Sequence, residues 1–237
     1  MALKELKEVF SKEYFKKRFD TSYIEPDATD EQVVAFLEKC KKYSYYIKAV
    51  GVNLHQIPLG AKVLNGTDIT LIAPVAYPLG CVPTELKIKQ ALWAIEHGAR
   101  QIDFCMELGA FKNKQYDFVK RDLEEVISAI RDKVETISVI PFTQLLTKDE
   151  LIKVAEIIRD VGADLIKTNP GYGYVTKVDD VRIIKEKFGD SVGVMASGGV
   201  RTLQQTLEMF MAGADRIATS TPFQILDEFE RVIQRIK

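Results

Sequence analysis

Lys167 ends a short apolar run, Ala163-Asp164-Leu165-Ile166-Lys167, and the turn residues Thr168-Asn169-Pro170-Gly171 follow at once. A lysine that closes a buried strand is badly placed for solubility and well placed for chemistry, because lysine is almost never fully buried without a partner or a task. Its bland alternative is an ammonium that snorkels to water or pairs with a loop carboxylate. Thirty residues on, a second apolar run ends in Ala196-Ser197-Gly198-Gly199-Val200. A Ser-Gly-Gly turn leading into a helix presents backbone N–H groups to an anion. An amine beside a phosphate cradle points to Schiff-base chemistry on a phosphorylated sugar.

Other residues fit around that pair. Asp103 lies in Gln101-Ile102-Asp103-Phe104-Cys105-Met106-Glu107, where the period of a strand puts Asp103, Cys105 and Glu107 on one face. If that face lines a barrel, two carboxyls point toward its mouth, able to pair with an amine or exchange protons with a reacting alcohol. Facing outward against helices, a carboxylate there would be hard to satisfy. Ser220 and Thr221 follow the last apolar run and form a second anion candidate, although Thr219-Ser220-Thr221-Pro222 is equally an ordinary helix start. Thr168 and Gly171, beside the lysine, complete the expected substrate-binding set with Ser197, Gly198, Gly199, Ser220 and Thr221. Tyr172 and Tyr174 follow in the same loop, as plain packing or within reach of a substrate.

These residues need a scaffold that gathers strand ends. Gly98-Ala99-Arg100, Gly162-Ala163-Asp164 and Gly213-Ala214-Asp215 each close a helical pattern and open an apolar run. The glycine suits the left-handed position after a helix, so the triplets punctuate repeated helix-to-strand turns. The pattern gives strands near Phe19–Ile24, Ile47–Asn53, Ile69–Val75, Gln101–Glu107, Val134–Ile140, Leu165–Thr168, Gly193–Ala196 and Arg216–Thr219, each followed by a helix. Asp27-Ala28-Thr29-Asp30 and Leu146-Thr147-Lys148-Asp149-Glu150 read as helix N-caps with acids in the first turn. Eight βα units in this length predict an α/β protein of the (β/α)₈ or TIM-barrel class, with an extra N-terminal helix over about Leu3–Lys16. The glycine fingerprint of an open doubly wound sheet is missing after the first strand. No linker or composition shift divides the chain, so residues 1–237 read as one domain.

Composition narrows the function. The 237 residues are 46% hydrophobic and 28% charged with net charge −1, which argues against a nucleic-acid partner. Three scattered cysteines without C-x-x-C spacing and two histidines argue against a His- or Cys-built metal site and suit a reducing, cytoplasmic compartment. No stretch approaches a membrane span, and the charged start is unlike a signal peptide. No cofactor is expected. Assembly into a homo-oligomer is left open, by analogy with barrels that pair through helices or end loops.

With these motifs in order, the chain resembles the deoxyribose-phosphate aldolases, class I aldolases of the (β/α)₈ fold. Phe19-Asp20-Thr21-Ser22-Tyr23-Ile24-Glu25-Pro26-Asp27-Ala28-Thr29 is similar to the family's opening Asp-His-Thr-Leu-Leu-Lys-Pro-x-Ala-Thr, and Tyr77-Pro78-Leu79-Gly80 to its Phe-Pro-Leu-Gly turn. Ile102-Asp103 with Gly109-Ala110-Phe111-Lys112 resembles the strand that carries its catalytic aspartate. Ile166-Lys167-Thr168 resembles its Schiff-base lysine motif, and Ala196-Ser197-Gly198-Gly199-Val200-Arg201-Thr202 its phosphate-side loop. The resemblance implies reversible cleavage of 2-deoxy-D-ribose 5-phosphate to glyceraldehyde 3-phosphate and acetaldehyde. Lys167 would form the imine, Asp103 would help move protons, and the two late loops would hold the phosphate.

Departures from the family pattern cluster at one mouth of the barrel. The lysine that usually precedes Ala-Ser-Gly-Gly is Met195 here, and Glu107 stands where a neutral residue is common. Thr168-Asn169-Pro170-Gly171-Tyr172 replaces Thr-Ser-Thr-Gly-Phe, and the family's Cys-Val-Asn-Pro has Gly51 and Leu54 at its ends. An amine must be neutral to attack a carbonyl, and its unperturbed pKa is about 10.4. With Met195 the remaining way to keep Lys167 uncharged is desolvation. Two further readings stay open: the same imine chemistry on another phosphorylated sugar or keto substrate, and a catalytically silent phosphosugar-binding protein.

Overall fold

The structure is a computed structural model that describes residues 8–236. Its strands are β1 (Phe19–Tyr23), β2 (Ile47–Val52), β3 (Thr70–Val75), β4 (Gln101–Cys105), β5 (Thr136–Ile140), β6 (Leu165–Lys167), β7 (Gly193–Ser197) and β8 (Arg216–Ala218). They pair in sequence order, all parallel, and close when β8 meets β1 through Phe19↔Ile217 and Asp20↔Ala218. The helices are α1 (Lys12–Phe15), α2 (Asp30–Lys42), α3 (Ile57–Leu64), α4 (Thr84–Glu96), α5 (Leu108–Lys112), α6 (Tyr116–Ile130), α7 (Lys148–Asp160), α8 (Val178–Phe188), α9 (Leu203–Met211) and α10 (Pro222–Ile236). This is the (β/α)₈ barrel that the repeated helix-to-strand turns predict. Among the described residues no helix is long and apolar enough to cross a membrane.

Local sequence explains the punctuation. Thr29 with Gln32, Thr147 with Glu150 and Thr202 with Gln205 form reciprocal capping boxes that start α2, α7 and α9. Gly98 and Gly213 end their helices at φ 111° and 101°, where a side chain is strained. Of the N-terminal helix expected over Leu3–Lys16, residues 3–7 lie outside the described residues. Within them α1 is capped by Ser11, and Phe15 stacks on Phe229 of α10 with ring centroids 3.9 Å apart.

Strand alternation separates two environments. Phe19, Val50, Ile102, Phe104, Ile137, Val139, Ile166, Val194 and Ile217 join the continuous apolar layer beneath the helices. The alternate positions Asp20, Gln101, Asp103, Lys167 and Arg216 face the barrel axis, where the buried Asp20, Gln101 and Asp103 bond to one another and to the two cations, while the buried Ser138 hydroxyl has no partner among the described residues.

One expectation fails at the end of β4. The strand stops at Cys105, and Glu107 turns away as the N-cap of α5, its carboxylate accepting from the Gly109 N–H at 3.0 Å. Period-two alternation ends with the ladder, so Glu107 does not share the inward face of Asp103.

Candidate active site

The ammonium of Lys167 donates to Oδ2 of Asp103 at 2.8 Å, with side-chain exposures of 12% and 2%. Two residues before Asp103 on the same face, Gln101 donates from Nε2 to Oδ1 of Asp103 at 3.0 Å and to Oδ2 of Asp20 at 3.1 Å. Arg216, at the start of β8, donates from Nη1 to Oε1 of Gln101 at 3.1 Å and to Oδ2 of Asp20 at 3.4 Å. Four strands thus meet in one buried chain of polar groups. Oδ1 of Asp20 is buried with no hydrogen-bond partner among the described residues.

The charge on Lys167 departs from the sequence expectation. Burial, the largest influence, pushes its pKa down, but the Asp103 carboxylate, Tyr77, and Asp20 beyond them together push it above the ordinary lysine value. The resting amine is therefore an ion-paired ammonium, and desolvation alone does not neutralise it. Met195 is the β7 register partner of Lys167 and is fully buried, in a small apolar cluster with Leu165 and Ala218. Asp20 is raised above the usual carboxylate range, first by burial and then by Asp103, against the lowering effect of Arg216.

A cavity of about 320 Å³ opens over this chain at the C-terminal ends of the strands. Lys167, Asp103 and Asp20 form its floor, and Gly171, Ser197, Gly198, Gly199 and Ser220 line its wall. Gly198 and Gly199 have φ 100° and 77°, and a Cβ on Gly198 would lie 2.4 Å from the Tyr174 carbonyl oxygen. Among the described residues the N–H groups of Gly198, Gly199 and Ser220 donate to no protein acceptor, so they are available to an anion. Ser220 immediately precedes Thr221 and α10, whose N-terminus adds a favourable dipole.

Thr168 and Thr221 do not line the cavity. The buried Thr168 hydroxyl donates to the Ser197 carbonyl at 3.0 Å and accepts from the Ser197 N–H at 2.9 Å. It splices β6 to β7 behind the glycine turn. The Thr221 N–H is spent on Oγ1 of Thr219 at 3.1 Å. Asn169 is likewise buried, bonded to Thr143 and Thr176 at 3.2 Å each.

Two tyrosines fasten the rim. The Tyr77 hydroxyl donates to the Pro170 carbonyl, and the Tyr172 hydroxyl donates to the Ile24 carbonyl at 2.6 Å. The loops after β3, β6 and β1 are thereby tied together, and the two rings meet edge to face at 5.8 Å.

Lys167 and Asp103 stand out in the sequence, whereas Asp20, Gln101 and Arg216 do not. Their signal was present as charged or amide residues inside otherwise apolar runs, which become conspicuous only when barrel closure turns them onto one axis.

Residues 19–221 match the family described as "DeoC/LacD family aldolase". The chain is 37% identical over 214 residues to the deoxyribose-phosphate aldolase of Thermococcus gammatolerans, covering 89% of this chain and 94% of that one. To the Clostridium tetani enzyme of the same name it is 38% identical over 214 residues, covering 90% and 98%. The solved aldolase QR15 superimposes with a TM-score of 0.88 at 32% identity, over 94% of this chain and 99% of that one. The tetrameric deoxyribose phosphate aldolase of Aeropyrum pernix shares the fold with a TM-score of 0.88 at 23% identity, over 97% of each chain.

Proposed function

Because the chain belongs to the DeoC/LacD family of aldolases, we propose that it cleaves 2-deoxy-D-ribose 5-phosphate reversibly to glyceraldehyde 3-phosphate and acetaldehyde through an imine on Lys167. The observation that carries this reading is the Lys167–Asp103 contact of 2.8 Å on the floor of a cavity whose wall offers free backbone N–H groups.

The ion pair supplies the nucleophile by internal proton transfer. Lys167 passes a proton to Oδ2 of Asp103, and the neutral amine attacks the substrate aldehyde carbon. Loss of water leaves the protonated imine. The carbon–carbon bond beyond it then breaks, its electrons flowing into the imine to give an enamine, while the hydroxyl on the departing carbon loses its proton and becomes the glyceraldehyde 3-phosphate carbonyl. Asp103 and Asp20 are the carboxyls in place to receive that proton and to return one to the enamine carbon. Hydrolysis of the imine releases acetaldehyde and restores the amine.

The phosphate is assigned to the N–H groups of Gly198, Gly199 and Ser220, with Ser197 and Gly171 beside them and Arg201 adding positive charge at the rim. Thr168 and Thr221 support these loops from behind. A cytoplasmic setting fits a substrate of this kind and the three free cysteines.

Borohydride reduction in the presence of acetaldehyde tests the proposal. One ethyl group should be fixed on the Lys167 peptide, with matching turnover of deoxyribose 5-phosphate. Labelling on another lysine, or trapping without turnover of that sugar, rejects it.

A further inference from the structure

Gln101 uses both amide hydrogens on carboxylates, one on Asp103 and one on Asp20, and its oxygen accepts from Arg216. A guanidinium carries only donors, so it can face only the amide oxygen, and the NH₂ group is thereby turned toward the two acids. The chemistry of the neighbours dictates which way this amide points. Asp103 is then gripped at both ends, Oδ1 by Gln101 at 3.0 Å and Oδ2 by Lys167 at 2.8 Å. Rotation of the carboxylate would forfeit both bonds. We propose that Gln101, oriented by Arg216, is the positioning residue that presents Asp103 to the Lys167 amine for proton exchange.

Several features favour a task beyond filling space. Gln101 is fully buried, and an uncharged amide in such a place is costly unless its bonds are made. The floor holds two acids, Asp20 and Asp103, and two cations, Lys167 and Arg216, so a neutral bridge preserves their balance. The charged and titratable groups around Asp103 are Lys167 on β6, Asp20 on β1, Arg216 on β8 through Gln101, Tyr77 after β3 and Cys105 on its own strand. From β5 it meets Ser138, and β7 contributes the apolar Met195 beside Lys167. Among the described residues Gln101 alone bonds both acids.

The inference rests on the imine reading. The active form is the Lys167–Asp103 pair holding one proton between them, and its two ionisations belong to the pair. Amide donation to the carboxylate favours that form over the fully protonated one, so removing the donor should move the acid limb of the pH profile up.

The test measures kcat, KM and melting temperature, with the pH dependence of acetaldehyde trapping by borohydride, in the full chain and in Gln101→Met, Gln101→Glu, Arg216→Lys and the double variant Arg216→Lys/Gln101→Met. Gln101→Met should lower kcat about tenfold and raise the acid limb by about one pH unit, the scale of a hydrogen bond to a charged group. KM should stay within about twofold, because the amide does not touch substrate. Gln101→Glu is the same size and adds a third acid, so it moves the limb the same way and further, and it decides the matter if the methionine variant does not fold. Arg216→Lys keeps the charge but loses the fork; it should shift the limb alone and add nothing once Gln101 is methionine. An unmoved acid limb in the folded Gln101 variant, a loss confined to KM, or additive shifts in the double variant overturn the proposal. Absence of trapping in the unaltered chain defeats the imine reading itself, whereas normal trapping there with an unmoved limb in the variants defeats only this inference.

Discussion

Met195 and Lys167 are register partners on β7 and β6, so the immediate strand neighbour of the amine is a buried thioether. In the aldolase pattern that position carries a lysine, and a second ammonium there would disfavour protonation of the first. With methionine in its place, burial pulls the pKa of Lys167 down, but Asp103, Tyr77 and Asp20 outweigh it and hold that pKa above the ordinary lysine value.

Met195→Lys should reverse that balance. A like charge lowers the pKa of Lys167, so the alkaline limb of borohydride trapping moves to lower pH and trapping at neutral pH becomes faster. The new ammonium is buried without a dedicated partner, and the melting temperature should fall by several degrees. An unchanged alkaline limb in a folded variant would show that Lys167 and residue 195 do not interact electrostatically.

Asp103→Asn removes both the proton acceptor of Lys167 and the charge that keeps its amine protonated. The amide matches the carboxylate in size but removes the negative charge, so burial is left to dominate and the pKa of Lys167 falls. Acetaldehyde trapping at neutral pH should persist, while kcat for sugar cleavage drops about 100-fold or more for want of the acid–base group. The stability sign follows from the same shift. In the native chain the raised Lys167 contributes stability at pH below its ordinary value of 10.5, lost as pH climbs through the raised one. Alkaline unfolding of the asparagine variant should therefore lose that component. Trapping abolished together with turnover would instead show that the lowered pKa of the amine cannot replace Asp103 as its proton acceptor.

The legibility of the site tracks the range of its interactions. Gly98 and Gly213 announce helix ends because positive φ is a local requirement, and Thr29 and Thr147 announce helix starts for the same reason. Lys167 and the Ser197-Gly198-Gly199 turn stand out because strand ends and turns are local too. Gln101 and Arg216 looked like ordinary strand residues, since their partnership needs β8 to close on β1 and β4 to lie across the axis. Strand alternation does not extend to Glu107, which lies past the last ladder residue Cys105 and caps the N–H of Gly109. Adjacency to Lys167 suggests a place for Thr168 in the cavity, yet successive strand residues face opposite sides.

Gly198→Ala should damage phosphate recognition specifically. Its φ of 100° is hostile to a side chain, and the added Cβ would meet the Tyr174 carbonyl oxygen at 2.4 Å, so the turn must shift. KM for glyceraldehyde 3-phosphate in the synthetic direction should rise about tenfold or more, the worth of one charge-assisted hydrogen bond. Addition to unphosphorylated glyceraldehyde should be little affected. Gly162→Ala is the control, with φ 79° and open space around the new Cβ. It carries the backbone penalty of about 1–2 kcal/mol without touching the cavity. Equal losses on both acceptors in Gly198→Ala would remove this turn from phosphate binding.

Lys87 on α4 and Asp122 on α6 form a second buried pair, away from the cavity, at 2.6 Å with side-chain exposures of 0% and 2%. Oδ1 of Asp122 also accepts from the Thr84 hydroxyl at 2.7 Å, so each carboxylate oxygen has a donor. Breaking such a pair from one side strands a charge in the interior, which costs about 3–5 kcal/mol, whereas removing both charges together is often neutral. Lys87→Met should therefore lower the melting temperature sharply, and Lys87→Met/Asp122→Leu should recover most of the loss. Because the pair joins two outer helices and takes no part in the Lys167 chain, kcat measured well below the melting transition should stay unchanged in both variants. A single variant as stable as the native chain would mean that Asp122 is neutral when unpartnered. A fall in kcat without loss of stability would extend the functional network outward through α4.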